Sequence, residues 1–124
     1  MATISEKNRT IGSLKKRADF LRVQQTGQKW VTKSFILRQL SQPEEQPSET
    51  DIRFGLTVTK KVYKNATDRN RVKRRLRAMV KDVLLENGTD KTDYVLIGRT
   101  ETLTRDFEDL RKDLKWALKR LSQA

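Results

Sequence analysis

Apolar residues recur along this chain at two spacings, one typical of helices and one of strands. From residue 68 to residue 87 they fall at i, i+4, i+7, i+8 and i+11, which is one face of a helix. These positions are Val72, Leu76, Met79, Val80 and Val83. The pattern predicts a long helix that is capped by Thr67 or Asp68 and ends near Asn87 and Gly88.

Two further helices are predicted, one on each side of this segment. Residues 14–25 form a short helix with Ser13 as its N-cap and Gly27 at its end. A last helix, capped by Thr102 or Thr104, has apolar residues at helical spacing over five turns. They are Leu103, Phe107, Leu110, Leu114, Leu118 and Leu121.

Strands are predicted at residues 30–40, 52–59 and 93–99, which are rich in β-branched and aromatic side chains. In the first strand, Phe35, Leu37 and Gln39 share one face, and Ile36 and Arg38 share the other. In the second, Ile52, Phe54, Leu56 and Val58 face a core, and Arg53, Gly55, Thr57 and Thr59 face away. The outward face is small and hydroxylated, so it is interpreted either as the floor of a groove or as a plain solvent face.

The order of these elements predicts an α+β fold. We expect a two-layer sandwich in which about four mainly antiparallel strands are packed by helices, in the order α-β-β-β-α-β-α, with one short strand left unplaced. Residues 1–12 are interpreted as a flexible basic N-terminal tail, and residues 13–124 as a single domain. Residues 42–51 hold both prolines and four acids and are interpreted as a solvated loop.

Charge is concentrated in one part of the 124-residue chain, whose net charge is +12. Residues 52–81 carry eleven Lys or Arg residues and a single acid, Asp68. A field of this kind suits nucleic acid, or less often an anionic membrane. The long helix would repel itself, because like charges at i, i+4 such as Arg71 and Arg75 are unfavourable. A solvated helix face is the plain alternative, but a polyanion would remove the repulsion.

Residues that the chain lacks exclude several mechanisms. With neither histidine nor cysteine, nucleophilic systems of the Ser/His or Cys/His type are excluded. A self-contained nuclease would need clustered carboxylates to hold divalent metal, and the basic segment has none, so no metal ligands are predicted. The absence of cysteine and of an apolar run of 18 residues predicts a cytoplasmic protein without membrane contact. RNA is favoured over DNA because no helix-turn-helix or zinc motif is present.

Residues 69–77, R-N-R-V-K-R-R-L-R, resemble the RNR signature of the bacterial ribonuclease P protein family. Four more segments are similar to that family in the same order: L-K-K-R-A-D-F-L-R-V at 14–23, F-I-L at 35–37, R-F-G-L-T-V-T-K-K-V at 53–62 and D-Y-V-L-I-G-R at 93–99. The resemblance implies the protein subunit of an endoribonuclease that removes the 5′ leader from precursor tRNA, one protein per catalytic RNA, with Mg²⁺ held mainly by the RNA. It also implies a left-handed β-α-β crossover through the basic helix.

The resemblance further assigns roles to residues. Contacts to the catalytic RNA are expected from Lys60, Lys61, Arg69, Asn70, Arg71, Lys73, Arg74, Arg75, Arg77 and Arg99. A cleft for the single-stranded leader is expected from Phe20, Gln24, Ile36, Arg38, Thr57 and Thr59. Gln24 and Arg38 stand where the family often has aromatic residues, and Tyr63 stands where it often has glycine. Arg38 can substitute for a ring by stacking its guanidinium or by pairing with a phosphate.

Two rival hypotheses remain at this stage. A small ribosomal or RNA-chaperone protein without a role in cleavage would share the composition and the fold class. A metal-dependent nuclease acting alone would need acids that the basic segment does not hold.

Overall fold

The computed structural model describes residues 10–44 and 50–122. Its elements are β1 (Ile11–Ser13), α1 (Arg17–Thr26), β2 (Gln28–Val31), β3 (Phe35–Ser41), β4 (Ile52–Thr57), α2 (Ala66–Asn87), β5 (Thr92–Gly98), a 3₁₀ turn (Thr100–Thr102) and α3 (Phe107–Ser122). The predicted α+β class is confirmed. The predicted N-terminal tail up to residue 9 and the centre of the acidic loop lie outside the described residues.

The described residues form one five-stranded sheet in the order β1-β4-β5-β3-β2. β1 and β5 both run parallel to β4, while β3 runs antiparallel to β5 and to β2. The sheet thus has one strand more than the four or so predicted, and two of its four strand pairings are parallel. β4, α2 and β5 form a crossover between parallel neighbours, as expected; its hand stays a prediction.

Of the predicted strands 52–59 and 93–99, the first ends already at Thr57 and the second is shifted by one residue, to Thr92–Gly98. Two larger differences depend on a pairing that is distant in sequence and on a turn. Residues 11–13 were assigned partly to the tail, but they pair with β4 in the register of Ile11 with Ile52. Residues 30–40 form a hairpin, and not one strand. The hydroxyl of Thr32 makes its turn by accepting hydrogen bonds from the N–H groups of Ser34 (3.2 Å) and Phe35 (3.0 Å).

The helix starts also need correction, whereas the predicted end of α2 is confirmed by its C-cap at Gly88. α1 begins after Lys16 and α2 after Asn65, and neither cap residue makes a side-chain hydrogen bond. α3 begins only at Phe107, where the carboxylate of Asp106 accepts a hydrogen bond from the N–H of Glu108 (3.1 Å). Thr102 is instead fully buried in the 3₁₀ turn.

The main core lies between one face of the sheet and the helices α2 and α3. The predicted apolar face of α2 is confirmed, since Val72, Leu76, Met79, Val80 and Val83 are all fully buried. The opposite face of the sheet carries a smaller apolar contact, in which α1 packs against β3 and β5 and buries Val23 and Val95. Burying each such side chain contributes about 1.5–3 kcal/mol, so α2 and α3 carry most of the stability.

Candidate nucleic-acid interface

The side of α2 that points away from the core is a continuous cationic surface. We name it the α2 face and define it by Asn70, Arg71, Arg74, Arg77 and Lys81, all of which are exposed. Within the described part of the chain none of these cations forms an ion pair. Spacings of three and four residues keep the charges side by side, and no ion pair among the described residues offsets their mutual repulsion.

Two arginines of the predicted RNA-binding set are directed into the protein instead. Arg75 donates from Nε to the carbonyl of Thr102 (3.1 Å) and from Nη2 to the carbonyl of Arg105, and its guanidinium lies 6.0 Å from the ring centre of Phe107. Arg69 donates from Nη1 to the carbonyls of Tyr63 and Lys64, both at 2.9 Å. Arg75 therefore braces the start of α3, and Arg69 braces the connector before α2.

The other predicted cations gather near the N-terminal half of α2. Lys60, Lys61 and Arg99 are exposed and follow the ends of β4 and β5, while Lys73 is half-buried without an ion-pair partner. Arg99 donates from Nη1 to the carbonyl of Thr32 (2.7 Å). A Cβ at Gly98 would lie 3.2 Å from Cγ1 of Val72, which shows how closely this end of the sheet approaches α2.

Tyr63 connects the segment before α2 to the 3₁₀ turn, a role that was not predicted from the sequence. Its buried hydroxyl lies 2.6 Å from the carbonyl oxygen of Arg99 and 2.9 Å from that of Thr100, and it accepts a hydrogen bond from the N–H of Leu103 (3.3 Å). Burial raises the pKa of Tyr63 above its ordinary value. The feature of the sequence that could have indicated this role is a lone aromatic residue in a polar connector.

The predicted cleft lies on the sheet face opposite the main core, beside α1. Phe20 packs directly on the sheet, because a Cβ at Gly55 would lie only 2.6 Å from Cε2 of Phe20. Ile36 pairs in register with Ile97, and Thr57 pairs with Ile97 from the other side. The three cleft residues Phe20, Ile36 and Thr57 are half-buried. The groove interpretation of this face therefore applies to its uncovered end, while α1 covers the rest.

Arg38 is the cationic member of the cleft. Its Nη1 donates to the carbonyl of Gly27 (3.3 Å), while its Nε is buried without a hydrogen-bond partner. Gln24 is half-buried on α1, and Thr59 is exposed beyond the end of β4. A buried donor without a partner is costly, so an acceptor that reached Nε would stabilise this arrangement.

A buried ion-pair network fixes α1 to the sheet. This network was not predicted from the sequence. The fully buried carboxylate of Asp93 accepts hydrogen bonds from Nε and Nη2 of Arg53 (2.8 and 2.6 Å) and from Nη2 of Arg22 (2.7 Å). The hydrogen bond to Asp93 raises the pKa of Arg53. The feature of the sequence that could have indicated the network is Asp93 itself, an acid at the start of an otherwise apolar strand.

The described residues contain no group of three or more acids, histidines or cysteines that could hold a metal ion. No helix among them is both long and apolar enough to span a membrane. The exposed cations of the α2 face, by contrast, are suited to binding a polyanion.

Comparison with known proteins gives one family. A family model described as Ribonuclease P matches residues 9–122. The ribonuclease P protein component of Paramagnetospirillum magneticum is 44% identical over 108 residues, which cover 87% of this chain and 80% of that protein. That of Bacillus pumilus is 35% identical over 105 residues, with 82% and 81% covered.

Solved structures agree with these relatives. The RNase P protein from Thermotoga maritima has a TM-score of 0.69 at 27% identity and covers 87% of this chain and 96% of its own. The Staphylococcus aureus RNase P protein has a TM-score of 0.68 at 26% identity, with 88% and 94% covered. This chain therefore belongs to the ribonuclease P protein family, as the protein component of a tRNA-processing endoribonuclease whose catalysis resides in RNA.

Proposed function

We propose that this chain binds the catalytic RNA of ribonuclease P through the α2 face and holds the 5′ leader of precursor tRNA in the cleft beside α1. The single observation that carries the proposal is the exposed, unpaired row of cations on α2. Guanidinium forks and ammonium groups hold phosphates whatever the sequence of the RNA, and their binding is strongly dependent on salt.

For contact with the catalytic RNA we propose eight of the ten residues that the resemblance implies. They are Lys60, Lys61, Asn70, Arg71, Lys73, Arg74, Arg77 and Arg99. We assign Arg69 and Arg75 to positioning, because both are half-buried and their guanidinium groups already donate to backbone carbonyls. Each would act on RNA binding by fixing an end of α2 or of the segment before α3, and not by a phosphate contact. Arg99 also donates to a carbonyl, but its side chain is exposed, so we keep it in the set.

In the cleft we propose that apolar and polar side chains make different contacts with the leader. Phe20 and Ile36 offer apolar contact to leader bases, while Gln24, Thr57 and Thr59 offer hydrogen bonds. Arg38 would pair with a leader phosphate, since its buried Nε has no hydrogen-bond partner among the residues that the structure describes. Because no aromatic residue stands at positions 24 and 38, base stacking by this cleft rests mainly on Phe20.

Mg²⁺ enters this proposal only through the RNA. The described residues do not form a ligand set for a divalent ion, so we assign the metal mainly to the RNA and give no step to a protein-bound metal. We propose a complex of one protein with one RNA and with precursor tRNA as substrate, working in the cytoplasm.

The Arg38→Gln variant tests the cleft. We expect its holoenzyme to lose about three- to tenfold in affinity for precursor tRNA and to keep its affinity for mature tRNA, because only the precursor carries a leader. Binding of both tRNAs is measured by titration of the assembled holoenzyme in the presence of Ca²⁺, which slows cleavage.

Arg77→Gln is the matched control, because it removes a guanidinium from the α2 face. It should weaken assembly with the RNA and leave the ratio of the two tRNA affinities unchanged. An equal loss for precursor and mature tRNA in Arg38→Gln would show that Arg38 only supports the fold.

A further inference from the structure

An aromatic and cationic surface lies on α3 and β2, apart from the α2 face. We name it the Trp116 patch and define it by Trp30, Lys112, Lys115, Trp116, Lys119 and Arg120. The guanidinium carbon of Arg120 lies 5.3 Å from the ring centre of Trp30 and 5.6 Å from that of Trp116. Nζ of Lys119 lies 6.0 Å from the Trp116 ring. The side chain of Trp116 is 53% exposed, so the stacked row ends in an open indole.

The packing of α3 does not require this surface. The helix buries the opposite stripe, which consists of Leu110, Leu114, Ala117, Leu118 and Leu121. A large apolar side chain such as Trp116 that stays half exposed, while the core is complete without it, indicates a binding surface more than a folding role.

A cavity of about 320 Å³ opens beside the exposed indole, between the β2–β3 turn and α3. Its lining consists of Trp30, Val31, Thr32, Lys33, Arg105, Asp113 and Trp116. The acid in this wall is already paired, since Asp113 accepts hydrogen bonds from Nε of Arg105 (2.6 Å) and from Oγ of Ser34 (2.7 Å). These two hydrogen bonds fix the side chain of Asp113 in the wall of the cavity.

The charges around the indole are unbalanced. Arg111 forms ion pairs with Asp82 (2.9 Å) and Glu108 (3.3 Å) on the flank that packs against α2. On the outer face, Lys112, Lys115, Lys119 and Arg120 are exposed, and within the described residues none of them forms an ion pair. Cations interleaved with an open aromatic ring are the pattern by which proteins hold single-stranded nucleic acid.

We propose that the Trp116 patch is a second RNA-binding surface, on which an unpaired nucleotide stacks against Trp116 while the surrounding cations hold its phosphates. Complementarity of charge selects this occupant: a second copy of the chain would bring another net charge of +12 to a cationic surface. α3 packs against both α2 and β2, and the Trp116 patch includes Trp30 of β2, whereas α2 packs also against β1, β4 and β5. The two surfaces can therefore engage different segments of RNA. The inference rests on the proposed function only in taking RNA as the ligand.

Fluorescence of Trp116 tests the proposal directly. The chain has two tryptophans, so Trp30→Phe leaves Trp116 as the only indole. Titration of this variant with a short single-stranded oligoadenylate at low salt should quench Trp116 to saturation. Trp116→Ala should weaken binding of the same RNA by roughly five- to hundredfold, and Trp116→Phe should restore much of it. Because Trp116 is exposed, its substitutions are expected to leave the fold intact. Trp30 is half-buried against the core, and phenylalanine keeps an aromatic ring at that position.

The α2 face supplies the control. Arg71→Ala with Arg74→Ala, placed in the Trp30→Phe chain, should leave the saturable quenching of Trp116 in place. Quenching that disappears with these α2 substitutions would overturn the proposal, because the indole would then only report RNA bound elsewhere. Absence of quenching in a chain that still binds ribonuclease P RNA would overturn it and leave the proposed function intact. Burial of Trp116 in a concentration-dependent dimer without RNA would assign the patch to a second copy.

Discussion

Replacing Arg71, Arg74 and Arg77 together by alanine is expected to lower the affinity of this protein for ribonuclease P RNA on the order of 100-fold. These side chains are exposed and form no ion pair with any residue that the structure describes, so their loss should remove phosphate contacts without disturbing the core. The slope of log affinity against log salt should become flatter by about two to three units, since each phosphate contact contributes nearly one. Filter binding over a range of salt concentrations measures both quantities.

Two controls separate this effect from general loss of charge or of fold. Lys91→Asn removes an exposed cation at the opposite end of the sheet, and asparagine tolerates the positive φ of 56° at that position. It should leave the salt slope unchanged. Arg75→Ala should lower the melting temperature and leave the slope nearly unchanged, because Arg75 braces backbone carbonyls. A triple variant with an unaltered slope would show that the α2 face points to solvent in the complex.

Asp93→Ala is expected to destabilise the protein by about 3–5 kcal/mol. The carboxylate is fully buried between Arg22 and Arg53, so its removal leaves Arg22 without its ion-pair partner and Arg53 with only the more distant carboxylate of Asp19. Because this network attaches α1 to the sheet, the same change should disorder the cleft wall and reduce discrimination between precursor and mature tRNA. Urea unfolding measures the stability.

Asp19→Ala is the matched control for this prediction. Asp19 lies 3.5 Å from the same Arg53 but is partly exposed, so its loss should cost about 1 kcal/mol or less. Equal destabilisation by the two substitutions would contradict the view that the buried Asp93 contributes more to the attachment of α1 than the partly exposed Asp19 does.

The elements that follow from hydrophobic periodicity are those with long, regular signals. α2 shows this most clearly, because its 22 residues repeat one apolar face and thereby fix which side of the helix carries the cations. β1 has only three residues, and its pairing with β4 depends on a partner about 40 positions away, so no local pattern marks it. The β2–β3 turn lacks glycine and proline and is made by the hydroxyl of Thr32, which composition does not reveal.

The candidate site was predictable as a charged surface but not arginine by arginine. Periodicity places Arg71 and Arg75 on the same solvated arc, yet the guanidinium of Arg75 reaches carbonyls about 30 residues further along the chain. Such contacts depend on where the 3₁₀ turn lies in space. Likewise, Asp93 was predicted only as a residue of a buried strand, and its two arginine partners come from α1 and β4. Pairings of this kind are set by tertiary structure.

The central claim is that this protein assists an RNA that carries the chemistry. The most direct measurement is the rate of precursor-tRNA cleavage by a bacterial ribonuclease P RNA at low Mg²⁺, with and without the protein. We predict that the protein raises the rate strongly, that the Arg71, Arg74 and Arg77 triple variant does not, and that the protein alone cleaves nothing. Cleavage at the same rate with and without the protein, or cleavage by the protein in the absence of the RNA, would contradict the account.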